Sequence, residues 1–108
     1  MATKVNLVVD QGASFSTSVT FNDENGNTIN FSTYTGAAQL RKHFTSSNST
    51  SFTVSLTANG VIVLALSANQ TANLTYGRYV YDLEVTDSTS LVSRLMEGVV
   101  TITPNVTR

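Results

Sequence analysis

Apolar residues recur at every second position through most segments of the chain, which predicts strands with one covered face. Val5, Leu7 and Val9 alternate until Asp10-Gln11-Gly12 breaks the run. Phe15, Thr17, Val19 and Phe21 share the next face, with Ser and Thr opposite. Asn22 to Asn27 is a turn with Gly26 at a left-handed position, closing a hairpin onto Thr28 to Phe31. Thr35-Gly36 precedes a strand from Ala37 to Phe44, where Ala38, Leu40 and Phe44 share a side. Thr45 to Ser51 lacks periodicity and is expected to be a mobile loop.

Phe52, Val54 and Leu56 alternate again, and Ala58-Asn59-Gly60 turns the chain into Val61 to Leu66. That unbroken apolar run predicts a strand covered on both faces. Ser67 to Leu74 is the one helical segment, with Ser67 as cap and Ala68, Ala72 and Leu74 as apolar contacts. Tyr79, Tyr81, Leu83 and Val85 then alternate with Asp82 and Glu84, the clearest strand of all. Asp87 to Ser90 turns into Leu91 to Ile102, where Gly98 is expected to bulge or bend the strand before Pro104 ends it. Seven to eight short strands, about ten residues apart, predict an all-β, immunoglobulin-like antiparallel β-sandwich. It has one short helical turn near 67–74 and spans residues 1–108 as a single domain. A small barrel is the competing architecture.

Composition narrows the chemistry. Charged residues are 12% of the chain, with a formal net charge of −1 and Arg41-Lys42 as the longest basic run. Phosphate neutralisation needs a basic patch, so nucleic acid is not an expected partner. With no cysteine, disulfide scaffolds, thiolate metal sites and thiol nucleophiles are excluded. Nothing in the sequence has the make-up of a signal peptide or the length of a membrane span. The expectation is a protein made in a cytoplasm that does not use the usual export route, with no membrane partner.

Three stretches carry a family likeness. The first is Asp10-Gln11-Gly12-Ala13-Ser14-Phe15, followed by Asn25-Gly26-Asn27-Thr28-Ile29-Asn30. The second runs from Tyr34 to Lys42. The third joins Gly77-Arg78-Tyr79-Val80-Tyr81-Asp82-Leu83-Glu84-Val85 with Arg94 to Val100 and Pro104 to Arg108. With these the chain resembles small virion structural proteins of tailed bacteriophages and, more distantly, the N-terminal domain of phage baseplate upper proteins. The resemblance implies a compact β-sandwich located in the virion and made in the host cytoplasm. Its implied partners are other virion proteins and further copies of itself. The related pattern has Asp-Leu-Thr-Gly where this chain has the longer, less acidic Phe31-Ser32-Thr33-Tyr34-Thr35-Gly36.

Catalytic and metal-binding arrangements are weak by comparison. His43, the only histidine, has no Gly-x-Ser-x-Gly elbow to serve and neighbours Arg41 and Lys42. Asp23, Asn25 and Asn27 alternate like calcium ligands but lack a closing bidentate Glu, so a hairpin turn explains them better. Asp82 and Glu84 share a strand face about 7 Å apart, a spacing open to acid–base work. Cross-strand pairing with Arg94 is the simpler expectation. Tyr79 and Tyr81 belong to the core side, which leaves Tyr34 and Tyr76 as exposed aromatic contacts. Sequons such as Asn48-Ser49-Thr50 and Asn73-Leu74-Thr75 follow from an Asn-, Ser- and Thr-rich composition.

These observations predict no catalytic, cofactor-binding or metal site, and a structural particle component that works through protein contact. The alternative is a receptor- or carbohydrate-binding module recognising a host-surface glycan. An open sandwich exposes edge strands, and the terminal strands here are weakly guarded, with only Lys4 before Val5 and Pro104 after Ile102. Val5, Asn6, Leu7, Val8 and Val9 are therefore the expected docking segment.

Overall fold

The computed structural model describes residues 3–43, 49–104 and 106. The chain folds as Thr3–Lys4 (β1), Leu7–Asp10 (β2), Phe15–Thr20 (β3), Thr35–Arg41 (β4), Thr50–Ser51 (β5), Thr53–Leu56 (β6), Val61–Leu66 (β7), Ala68–Ala72 (α1), Gly77–Thr86 (β8) and Val92–Thr103 (β9). Two sheets form the expected all-β sandwich. The larger runs β1-β9-β8-β4-β5, with β2 also on β9, and the smaller runs β3-β7-β6.

The strong alternation in β8 has a direct structural meaning. Tyr79, Tyr81, Leu83 and Val85 are all buried, and Leu83 is fully so. From the other sheet Ile62, Leu64 and Leu66 of β7 meet them. Each such side chain contributes about 1.5–3 kcal/mol by leaving water. Aromatic rings tie the layers together: Phe52 lies 6.0 Å from Tyr81 and 6.5 Å from Phe15, in tilted and edge-on arrangements.

Several elements differ from the sequence-based expectation, each for an identifiable reason. The second face of β7, formed by Val61, Val63 and Ala65, is only half-buried. It is the outer face of a three-stranded sheet, so an unbroken apolar run marked a central strand without a second cover. Phe52, Val54 and Leu56 do not share one sheet. The chain pairs with β4 at Thr50–Ser51 and with β7 from Thr53, and Phe52 is the buried residue at which it changes sheets. The hairpin after Gly26 (φ 83°) shrinks to one bridge, Asn22 with Thr28, and Thr28 to Phe31 form no strand. Phe44 and residues 45–48 of the expected loop lie outside the described residues, and the end of that loop, Thr50–Ser51, is not loop but strand β5, held by Leu40 and Gln39 of β4.

Helix α1 starts where expected. Ser67 Oγ accepts from Gln70 N (3.2 Å) while Gln70 Oε1 accepts from Ser67 N (2.8 Å), a reciprocal cap. Its buried residue, however, is Thr71, with Ala72 exposed. A hydroxyl is tolerated there because it is satisfied: it accepts from Gly12 N (3.0 Å) and donates to the Ala13 carbonyl (2.9 Å).

The N-terminal segment was expected in an antiparallel sandwich, but β1 and β2 both run parallel to β9. Between them, Val5 N–H donates to the Glu97 carbonyl (2.9 Å) and Asn6 Oδ1 accepts from Val99 N–H (3.1 Å). Gly98 sits beneath this break, where a Cβ would collide with the Val5 carbonyl oxygen. Gly98 is thus the site of a close backbone crossing rather than a bulge. The register shift in β9 lies nearer its start, at Leu95, between the pairs Leu83–Met96 and Glu84–Arg94.

Candidate functional site

The outward side chains of the large sheet build a groove of about 550 Å3. Its floor is the directly opposed pair Val80 and Val99 on β8 and β9. Around it stand Asp82 and Glu84 from β8, Arg94 and Glu97 from β9, Gln39 and Arg41 from β4, and Lys4 and Asn6 from the N-terminal edge. Strand alternation, with the extra residue Leu95 bringing Arg94 to the same face as Glu97, places them on the side opposite the core.

The electrostatics of this face turn on Arg94. Asp82 and Glu97 are directly paired across β8 and β9, an opposition of like charges that destabilises a sheet. Leu95 shifts the register, and the Arg94 guanidinium reaches both carboxylates, at 3.4 Å from Asp82 and 3.5 Å from Glu97. The expected partnership of the β8 acids with Arg94 is therefore present for Asp82. Glu84 lies opposite Arg94 in the ladder but forms no ion pair or hydrogen bond with described residues. On the groove's other flank, Arg41 donates to Gln39 Oε1 at 3.0 Å.

The expected docking segment divides by strand geometry. Leu7 and Val9 are buried in the core, Val5 is half-buried, and its carbonyl accepts a 2.6 Å hydrogen bond from Tyr81 OH. Asn6 is exposed but holds Val99. Val8 alone presents an open apolar side chain, 64% exposed, and no described strand pairs with the outer side of β2. The other terminal strand is not an edge: β9 is paired with β8 on one side and with β1 and β2 on the other.

The two tyrosines expected at the surface also differ. Tyr34 is half-buried and packs edge-on against Phe31 at 5.1 Å, so it is part of the core margin. Tyr76 is 61% exposed beside a cleft lined by Gln11, Asn73, Leu74 and Pro104. Asp23 caps its own turn, its Oδ1 accepting from Asn25 N (2.9 Å) and Asn27 N (3.0 Å). His43 is exposed just past β4, and the Asn48 sequon lies outside the described residues.

Sequence reasoning found Asp82, Glu84 and Arg94 but missed Glu97 and the groove, because its walls come from four strands far apart in the chain. Its one available signal was the outward-facing charge on β8 and β9.

No family model and no curated relative matches the chain. Among solved structures it is similar to the internalin-like protein lmo2027 of Listeria monocytogenes, at 14% identity and a TM-score of 0.48, covering 96% of this chain and 28% of that one. It is also similar to a family 123 glycoside hydrolase from Clostridium perfringens, at 14% identity and a TM-score of 0.44, covering 97% of this chain and 24% of that one. The chain therefore spans about a quarter of the length of either.

Proposed function

We propose that this domain is a non-catalytic structural component of a tailed-phage particle, acting through contact with other virion proteins and further copies of itself. The observation that carries the reading is the N-terminal edge. No described residue pairs as a strand with the outer side of β2, which leaves backbone N–H and C=O groups there to pair with another chain, and Val8 stands exposed beside them. The sequence resemblance to small virion proteins supplies the setting. Standard interfaces bury about 800 Å2 per partner, a substantial share of a 6812 Å2 domain, so an edge flanked by one apolar side chain serves as part of a wider contact.

Val8→Glu tests this. Val8 points away from the core, so the variant is expected to melt like the wild type yet enter virions at reduced copy number. A folded variant incorporated at wild-type copy number overturns β2 as the docking edge.

A second reading, a receptor- or carbohydrate-binding module, draws on exposed Tyr76 and the neutral cleft beside it. A flat aromatic face next to amide side chains suits a sugar ring. Glycan binding abolished by Tyr76→Ala would favour it.

A further inference from the structure

We propose that the groove on the outer face of the large sheet binds an uncharged saccharide. The inference takes its ligand class from the second reading above but assigns it to a different surface. It does not depend on where the domain resides.

The concentration of charge is the first argument. The chain has six Lys and Arg and seven Asp and Glu residues. Three of the former (Lys4, Arg41, Arg94) and three of the latter (Asp82, Glu84, Glu97) line this groove. The outer face of the small sheet, built from residues such as Ser18, Thr20, Val63 and Ser55, carries no charge. A face that needed only to be wetted could use Ser and Thr, as that one does. Here the chain instead maintains a like-charge pair, Asp82 against Glu97, and recruits Arg94 to bridge it. Retaining an arrangement that is unfavourable for the sheet is typical of a functional site.

The balance of charge selects the ligand class. Three carboxylates oppose a phosphate or other polyanion, and three cations oppose a polyamine. Six charged side chains also make a poor wall for an acyl chain. An uncharged polyol fits each feature. Its hydroxyls both donate and accept, so they match carboxylates beside guanidinium, ammonium and amide groups. The Val80 and Val99 floor suits the C–H face of a sugar ring, and a volume of about 550 Å3 is within the range of small-ligand sites. Neither the Glu84 carboxylate nor the Lys4 ammonium is engaged by a described residue, so both can meet a ligand without breaking an existing bond.

The test uses the full chain, D-glucose, D-galactose, L-rhamnose and N-acetyl-D-glucosamine as single probes, and an array of uncharged and charged glycans. With at least one probe, amide chemical shifts are expected to move around Asn6, Gln39, Asp82, Glu84 and Val99. Glu84→Gln and Lys4→Met, both with unchanged melting, should each weaken binding by roughly tenfold, as loss of one charge-assisted hydrogen bond implies. Binding that survives both variants and is lost with Tyr76→Ala overturns the groove while leaving the second reading intact. A blank array with no shifts overturns both, and binding confined to charged glycans overturns the assignment to an uncharged ligand.

Discussion

The two sheets present alike inner faces and unlike outer ones. Inside, β7 contributes Ile62, Leu64 and Leu66 while β8 contributes Tyr79, Tyr81, Leu83 and Val85, all buried. Outside, the small sheet shows half-buried Val61, Val63 and Ala65 among Ser and Thr, whereas the large sheet shows six charged side chains around a groove. Folding depends on the first likeness, and the second difference changes stability little. The inner pattern therefore reports stability, and the outer contrast is what the proposed groove rests on.

The largest test of that division is in the core. Leu64→Ala and Leu83→Ala, one from each sheet and both fully buried, should each cost about 2–5 kcal/mol in chemical denaturation through the cavity left behind. A loss below about 1 kcal/mol at either would mean the inner faces are not equivalent. Gly98→Ala comes next, at roughly 1–3 kcal/mol, because its methyl group must displace the Val5 carbonyl. Its damage should stay in the large sheet, with faster amide exchange at Leu7 to Asp10 and unchanged exchange in β3 and β7.

Tyr81 adds a pH test. Burial raises its phenol from the ordinary value of 10.0 to about 12. Ionisation therefore occurs first in the unfolded chain, so the stability that Tyr81 supplies is complete below pH 10 and is lost as pH rises from there to about 12. Tyr81→Phe should flatten that alkaline decline while costing about 1 kcal/mol at neutral pH for the lost bond to Val5.

The outer faces should respond weakly. Arg94→Gln is expected to lose less than about 1 kcal/mol, since its ion pairs are solvent-exposed, and the loss should shrink in high salt. The smallest effect is at Asp87. Hydrogen bonds from the Thr89 side chain and the Leu91 backbone hold its carboxyl below the ordinary carboxylate range. Its contribution is present above that range and fades as pH falls through the lowered value, so Asp87→Asn should slightly flatten the acid limb of a stability–pH curve.

What the sequence disclosed follows the range of the interactions involved. Period-two alternation in β8, the Ser67 cap and the Gly26 turn are set by neighbours a few residues apart, and all are present. The parallel course of β1 and β2, the role of Gly98 and the groove depend on which distant strands become neighbours. A glycine within a strand pattern is compatible with either a bulge or a close crossing, and only the presence of Val5 above Gly98 decides. Thr71 was passed over because its burial depends on Gly12 and Ala13, some sixty positions earlier. The exposure of the expected docking segment was half legible: alternation separates Val8 from Leu7 and Val9, but only the topology shows that, among the described strands, β2 is an edge and β9 is not.

The pairing of β2 with β9 also bears on how the chain reaches this state. Leu7 meets Val100, and Asp10 meets Thr103, so the ladder closes a loop of about ninety residues. Such a contact carries a high loop-closure entropy and is rewarded only after both partners are held near each other. The hairpin-like neighbours β8 and β9, joined through the short turn at Asp87 to Leu91, can zip first and provide the template. By that argument the N-terminal edge is expected to dock after β8 and β9 have paired, and until it does the flank of β9 is a free edge that another strand can take.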